Sequence, residues 1–172
     1  MNLVFIVLFS FNFFQIFSHE LNELDIVAPK RILYITCDPE CPISQKYTSL
    51  FKTIGDLYPS LQFSLLFSPS TTKSSIIQFY KNYDLKVDRI LYIRDHRMKL
   101  IKKLGATITP EAFLIDDSKI FYYGAMDDRY YELGKMKSIP TQHFLLDAID
   151  AMLRQKVIKT SHIQAVGCVI EL

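Results

Sequence analysis

Apolar residues recur along this chain in two rhythms, one of strands and one of helices. Arg31-Ile32-Leu33-Tyr34-Ile35 is an almost unbroken apolar run of strand length, which predicts a buried central strand. Ile43, Tyr47, Leu50, Phe51, Ile54, Leu57 and Tyr58 then follow at helical spacing, so one helix is expected over 42–58. Pro42 suits its first turn and Pro59 stops it. Residues 61–67 read as a second buried strand and 68–72 as a loop. A helix capped by Ser74 or Ser75 carries Ile76, Ile77, Phe79, Tyr80 and Tyr83. A short strand is expected at 90–93, and a helix over 97–104 with Gly105 at its C′ position. Strands 112–115 and 119–123 join through Asp116-Asp117-Ser118 as a hairpin. Residues 124–137 read as a long loop and 141–153 as the last helix, and the apolar tail 163–170 is suited to dock as an extra strand. Leu24-Asp25-Ile26-Val27 is a candidate short strand at the other end. The order β-α-β-α-β-α-β-β-α implies an α/β fold with a mixed sheet and helices on both faces.

Composition bounds this picture. With 172 residues, 49% hydrophobic and 22% charged, the chain fits one domain and an N-terminal extension. Twenty basic and 18 acidic residues leave a net charge of +2, without a basic block that would track a phosphate backbone, so nucleic acid is not an expected partner. Met1 to Ser18 carries no charge and is rich in Phe, Leu, Ile and Val. It reads as a secretory signal peptide cleaved after Ser18, with an uncleaved N-terminal membrane anchor as the alternative. Residues 19–172 then form the domain, and a periplasmic or secreted location, with or without a tether, follows.

Export changes the meaning of the cysteines, of which there are three: Cys37, Cys41 and Cys168. In an oxidising compartment an odd count means one disulfide and one free thiol, or three thiols. Cys41 lies at the boundary between strand, turn and helix, where backbone N–H groups favour a thiolate, and is the candidate nucleophile. Ser44, one helical turn on, can hydrogen-bond a thiolate but cannot form a disulfide. Cys37 is close enough in sequence to pair with Cys41. Cys168 is either a second thiol, if the tail passes the turn, or a small core residue. The four histidines are scattered, with no metal-ligand spacing between them.

The string Cys41-Pro42-Ile43-Ser44 resembles the active-site turn of the thioredoxin superfamily, with serine in place of the second cysteine. The longer run through Gln45-Lys46-Tyr47 is most similar to the exported redoxins of bacteria, and the resemblance spans roughly residues 28–172. It implies a three-layer α/β/α thioredoxin-like sandwich with a β-α insertion and a C-terminal hairpin plus helix. It also implies a thiol–disulfide oxidoreductase that acts on protein or small-molecule thiols and disulfides, needs an electron donor and uses no cofactor. By the same resemblance Thr109-Pro110 is a cis peptide that meets substrate, Asp127 in Gly124-Ala-Met-Asp-Asp-Arg-Tyr130 is a candidate proton relay, and Ala165-Val166-Gly167-Cys168 is a recurring redoxin ending. Cys37-Asp-Pro-Glu-Cys41-Pro42 also resembles the copper site of Sco-like chaperones, which would make Cys37 and Cys41 copper ligands. The histidine those proteins place before the hairpin strand is absent, since Thr109-Pro110 stands there. A thiol peroxidase of the peroxiredoxin type needs proline and threonine seven and three residues ahead of its cysteine. Tyr34 and Asp38 hold those places before Cys41, and Lys30 and Tyr34 before Cys37. A non-catalytic binding domain is the remaining alternative.

Overall fold

A computed structural model describes residues 30–171. The N-terminal segment read as signal or anchor, and the candidate strand 24–27, lie outside the described residues. Elements run in the order β1 (Arg31–Thr36), α1 (Pro42–Lys46), α2 (Thr48–Leu57), β2 (Gln62–Phe67), α3 (Lys73–Asn82), β3 (Leu91–Arg94) and α4 (Lys99–Leu104). There follow β4 (Ile108–Thr109), β5 (Ala112–Asp116), β6 (Lys119–Gly124), β7 (Tyr130–Glu132), β8 (Lys135–Met136), α5 (Phe144–Leu153), β9 (His162–Ile163) and β10 (Cys168–Val169).

Six strands form a mixed sheet in the order β3-β2-β1-β5-β6-β9. β1, β2 and β3 are parallel, β5 runs antiparallel to β1, and β6 antiparallel to β5. Alternation along the strands sends side chains to two cores. Leu33, Ile35, Phe63, Leu65, Phe67, Ala112 and Leu114 join residues of α1, α2, α3 and α5 in the larger one. Leu66 and Phe113 face the other way and meet Met98, Ile101 and Ala106 around α4, together with Ile170 of the tail. The sheet therefore separates two helical layers, as the element order implies.

Four local readings change on contact with the structure. The helix expected over 42–58 is two helices that meet at Tyr47, whose N–H is shared between the Ile43 and Ser44 carbonyls. There the Thr48 hydroxyl donates to the Gln45 carbonyl at 2.8 Å, a side-chain bond that competes with the helical ladder and bends it. The third helix is capped by Thr72, whose Oγ1 accepts the Ser75 N–H, rather than by Ser74 or Ser75. The loop 124–137 contains the small β7–β8 hairpin. The tail is no continuous strand: it pairs at two separate places, β9 with β6 and β10 with β4.

One buried carboxylate fixes α4, and the periodicity gave no sign of it. Asp95 accepts the N–H groups of Lys99, Leu100 and Ile101, closing three of the four donors a helix start leaves open. Gly105 closes the other end at φ 70°.

Candidate active site at the turn and the tail

The turn after β1 is held by a dense set of polar contacts. The Thr36 hydroxyl donates to the Ile108 carbonyl at 2.8 Å and accepts the Glu111 N–H at 2.8 Å. Backbone N–H groups of Thr36 and Cys37 reach the carbonyls of Glu111 and Leu66. These bonds lock the end of β1 to the segment 108–111, which contains the cis peptide Thr109–Pro110. Asp38 Oδ1 accepts the Glu40 N–H, and the Gln45 side chain donates to the Pro39 carbonyl at 2.7 Å, so the loop 37–41 is closed on itself.

Cys41 is the N-cap residue of α1, with extended backbone angles and no side-chain cap on the first-turn N–H groups. Its Sγ lies 3.4 Å from the Thr109 carbonyl oxygen and is bonded to the Sγ of Cys168, 127 residues away, with Cα atoms 6.3 Å apart. The sequence left open whether Cys37 or Cys168 would meet Cys41, and the pair formed is Cys41–Cys168.

The tail reaches Cys41 by pairing antiparallel with β4, Cys168 opposite Thr109 and Val169 opposite Ile108. Ile170 N–H extends the pairing to the Thr107 carbonyl at 2.9 Å. Gly167 permits this approach: a Cβ there would collide with the Thr109 carbonyl. The glycine before Cys168 is thus a steric requirement of the disulfide.

Cys37 has a different setting from the one its spacing suggests. It is a free thiol, 3% exposed, in the larger core. Burial pushes its pKa far above the ordinary thiol range; a hydrogen bond with Ser44 opposes that shift and the Asp38 charge adds to it. Cys37 is therefore a protonated, shielded thiol at neutral pH. Ser44 is fully buried; its hydroxyl accepts the Asp38 N–H at 3.4 Å and lies 3.2 Å from Thr109 Oγ1. It bridges the loop, α1 and the cis-peptide segment.

Asp127 is buried rather than part of a solvated loop. It accepts the Tyr47 hydroxyl at 2.5 Å and the Arg129 N–H at 2.9 Å, with Arg129 Nε 3.8 Å away. The Arg129 guanidinium also sits 5.6 Å from the centre of the Tyr47 ring. Burial, then the hydrogen bond to Asp127, raises the Tyr47 pKa. The triad anchors the junction of α1 and α2 to the loop after β6. Glu111, next to the cis proline, is a site feature the sequence reading missed. Its carboxyl is buried with Oε2 unpartnered, and burial raises its pKa to about 6 against an opposing hydrogen bond with the Thr107 backbone.

A cavity of about 260 Å³ lies between the turn and the tail, lined by Cys37, Asp38, Ser68, Thr109 and the tail residues Val169 and Ile170. Among the described residues, no group of three or more His, Cys, Asp or Glu side chains gathers as a metal site, and no helix is long and apolar enough to cross a membrane.

No protein-family model and no curated protein matches the chain. Solved structures do. A hypothetical protein from Sinorhizobium meliloti 1021 superposes at TM-score 0.68 with 27% identity, over 82% of this chain and 79% of that one. An uncharacterized conserved protein from Geobacillus kaustophilus gives 0.68 with 19% identity, over 87% and 81%. A candidate thioredoxin from Neisseria meningitidis gives 0.53 with 20% identity, over 73% and 75%.

Proposed function

We propose that this chain, whose fold is thioredoxin-like, is an exported thiol–disulfide oxidoreductase whose redox couple is Cys41 and Cys168. One observation carries the reading: Cys41 sits at an uncapped helix start, against the Thr109 carbonyl beside a cis proline, already joined to a second cysteine. The uncapped N–H groups of the first turn of α1 stabilise the Cys41 thiolate once the disulfide opens. Thr109 and Pro110 line the approach to that sulfur, and Ser44 and Cys37 support the turn without exchanging electrons. Asp127 holds Tyr47 and Arg129 in place behind the site, which is the part its contacts favour over proton relay. Export rests on the apolar segment 1–18.

A partner thiolate attacks one sulfur of the disulfide and expels the other as thiolate, giving a mixed disulfide. The partner's second thiol then attacks its own sulfur in that bond and releases the remaining protein thiol. Two electrons and two protons pass to the protein, and the reverse sequence reduces a partner disulfide.

The test is single-turnover reduction of a small aromatic disulfide by pre-reduced protein. Wild type releases two equivalents of aromatic thiol and ends as the Cys41–Cys168 disulfide, whereas Cys41→Ser releases at most one, slowly, and forms no internal disulfide. A wild-type protein whose Cys41 reacts only after denaturation overturns the proposal.

A further inference from the structure

The edge that the tail occupies is the edge an incoming chain would need. β4 ends at Thr109, one residue before the cis proline, and its carbonyl is 3.4 Å from Cys41 Sγ. The strand paired there is residues 168–169 of the same chain, carrying the cysteine that is bonded to Cys41. Three features fix the register. Gly167 leaves room for the Thr109 carbonyl. Val169 points away and is 80% exposed, so its side chain is not read. Ile170 is 8% exposed and fills a socket made by Leu66, Met98, Ile101, Ala106 and Phe113.

Resting on the exchange reading above, we propose that residues 167–170 are a resident copy of the substrate strand. The partner is then an extended polypeptide segment with a small residue, a cysteine, any residue and an aliphatic residue in succession. A dithiol reductant opens the Cys41–Cys168 disulfide, taking up that bond as its own disulfide and leaving two protein thiols. Residues 167–170 are then held only by β4 pairing and side-chain packing, chiefly Ile170 in its socket, while β9 stays on β6, and they leave the edge. The partner segment adds to β4 in the same register, and the Cys41 thiolate attacks the sulfur of its disulfide, expelling the second partner sulfur as thiolate. When the tail returns, Cys168 thiolate attacks Cys41 Sγ, expels the partner cysteine as thiolate and restores the internal disulfide. The tail displaces the partner strand as it closes, so bond exchange and product release are one event. Backbone pairing supplies general affinity, and the two sterically tuned positions supply selection.

The full chain carrying Cys168→Ser, pre-reduced, isolates the partner step. The probe is a synthetic peptide of residues 165–170 whose cysteine is linked to thionitrobenzoate, the coloured group released when Cys41 attacks. Two further probes carry aspartate in place of the last isoleucine, or valine in place of the glycine. The matched peptide is expected to react at least about tenfold faster than either, the size of effect one buried aliphatic side chain supports. Adding Ile170→Asp to the protein frees the edge and speeds the matched peptide severalfold. Equal rates for the three peptides overturn this inference while leaving the exchange reading intact. Failure of Cys41 to react even with the symmetrical thionitrobenzoate disulfide overturns both. If Ile170→Asp unfolds the protein, the three-peptide comparison decides alone.

Discussion

The two arms that bring sulfur to this site are built in opposite ways. The turn 36–47 is tied at nearly every residue, through Thr36 to both 108 and 111, through Gln45 to 39, and through Ser44 to 38 and 109. The tail pairs with strands of the domain at two stations, β9 beside β6 and β10 beside β4. Each station rests on a glycine, Gly124 beneath the Ile163 carbonyl and Gly167 beneath that of Thr109, where any side chain would collide. The two sulfurs are therefore not equivalent. Cys41 is preorganised and stays put, whereas Cys168 arrives on an arm held by a few backbone bonds, by Ile170 and by the packing of Ala165 and Val166.

The largest consequence falls on the sulfurs themselves. Cys41→Ser removes the fast exchange and the internal disulfide, leaving only the slow reaction of a lone Cys168 thiol. Cys37→Ser, four residues earlier, leaves the rate within about twofold and costs on the order of 1 kcal/mol, because that thiol is a core residue. Stopped-flow release of an aromatic thiol and a urea titration read the two effects separately. Loss of exchange in Cys37→Ser with the fold intact would contradict the division of labour.

Cys168→Ser separates the two arms next. The fixed arm still attacks, so a mixed disulfide on Cys41 accumulates to about one equivalent by intact mass, and turnover stops. Catalytic cycling at the wild-type rate would mean that some other thiol closes the cycle.

Gly167→Val strikes the movable arm without touching a sulfur. Its side chain meets the Thr109 carbonyl, so re-formation of the internal disulfide after reduction slows by about tenfold or more. In wild type, opening the bond releases a constraint spanning 127 residues and lowers stability by about 2–4 kcal/mol. Chemical denaturation with and without a dithiol reductant reads that loss, which is absent in Cys168→Ser.

The smallest expected effect concerns Glu111, on the fixed arm's side. Burial raises its pKa from the ordinary 4.5 to about 6, so the folded state holds that proton more tightly than the unfolded chain. The stabilisation is present at low pH and fades as pH rises from about 4.5 through 6, by at most about 2 kcal/mol. Glu111→Gln flattens stability over that window. An unchanged pH dependence would show that the carboxyl does not titrate there.

The same contrast explains what was legible in the sequence. Period-two and period-3.6 patterns gave β1, β2, β5 and β6, the last helix, and the cysteine at a helix start, because each is decided by neighbours a few residues apart. The break at Tyr47 was invisible, since it depends on the Thr48 hydroxyl reaching a backbone carbonyl and on the Tyr47 ring being drawn to Asp127. The disulfide partner was equally beyond local reading. Cys37 and Cys168 are both small and apolar in sequence, and only the crossing of the tail over β4 distinguishes them. Asp127 looked like a loop carboxylate because its partner Tyr47 lies at the junction of α1 and α2, 80 positions earlier in the chain.

The most direct test of the Cys41–Cys168 couple is peptide mapping of the native protein equilibrated across a series of glutathione redox buffers, with free thiols alkylated. One two-electron transition is expected to link and unlink Cys41 and Cys168 together, while Cys37 stays a thiol throughout. A Cys37–Cys41 peptide, or a Cys41 that never changes state, would contradict it.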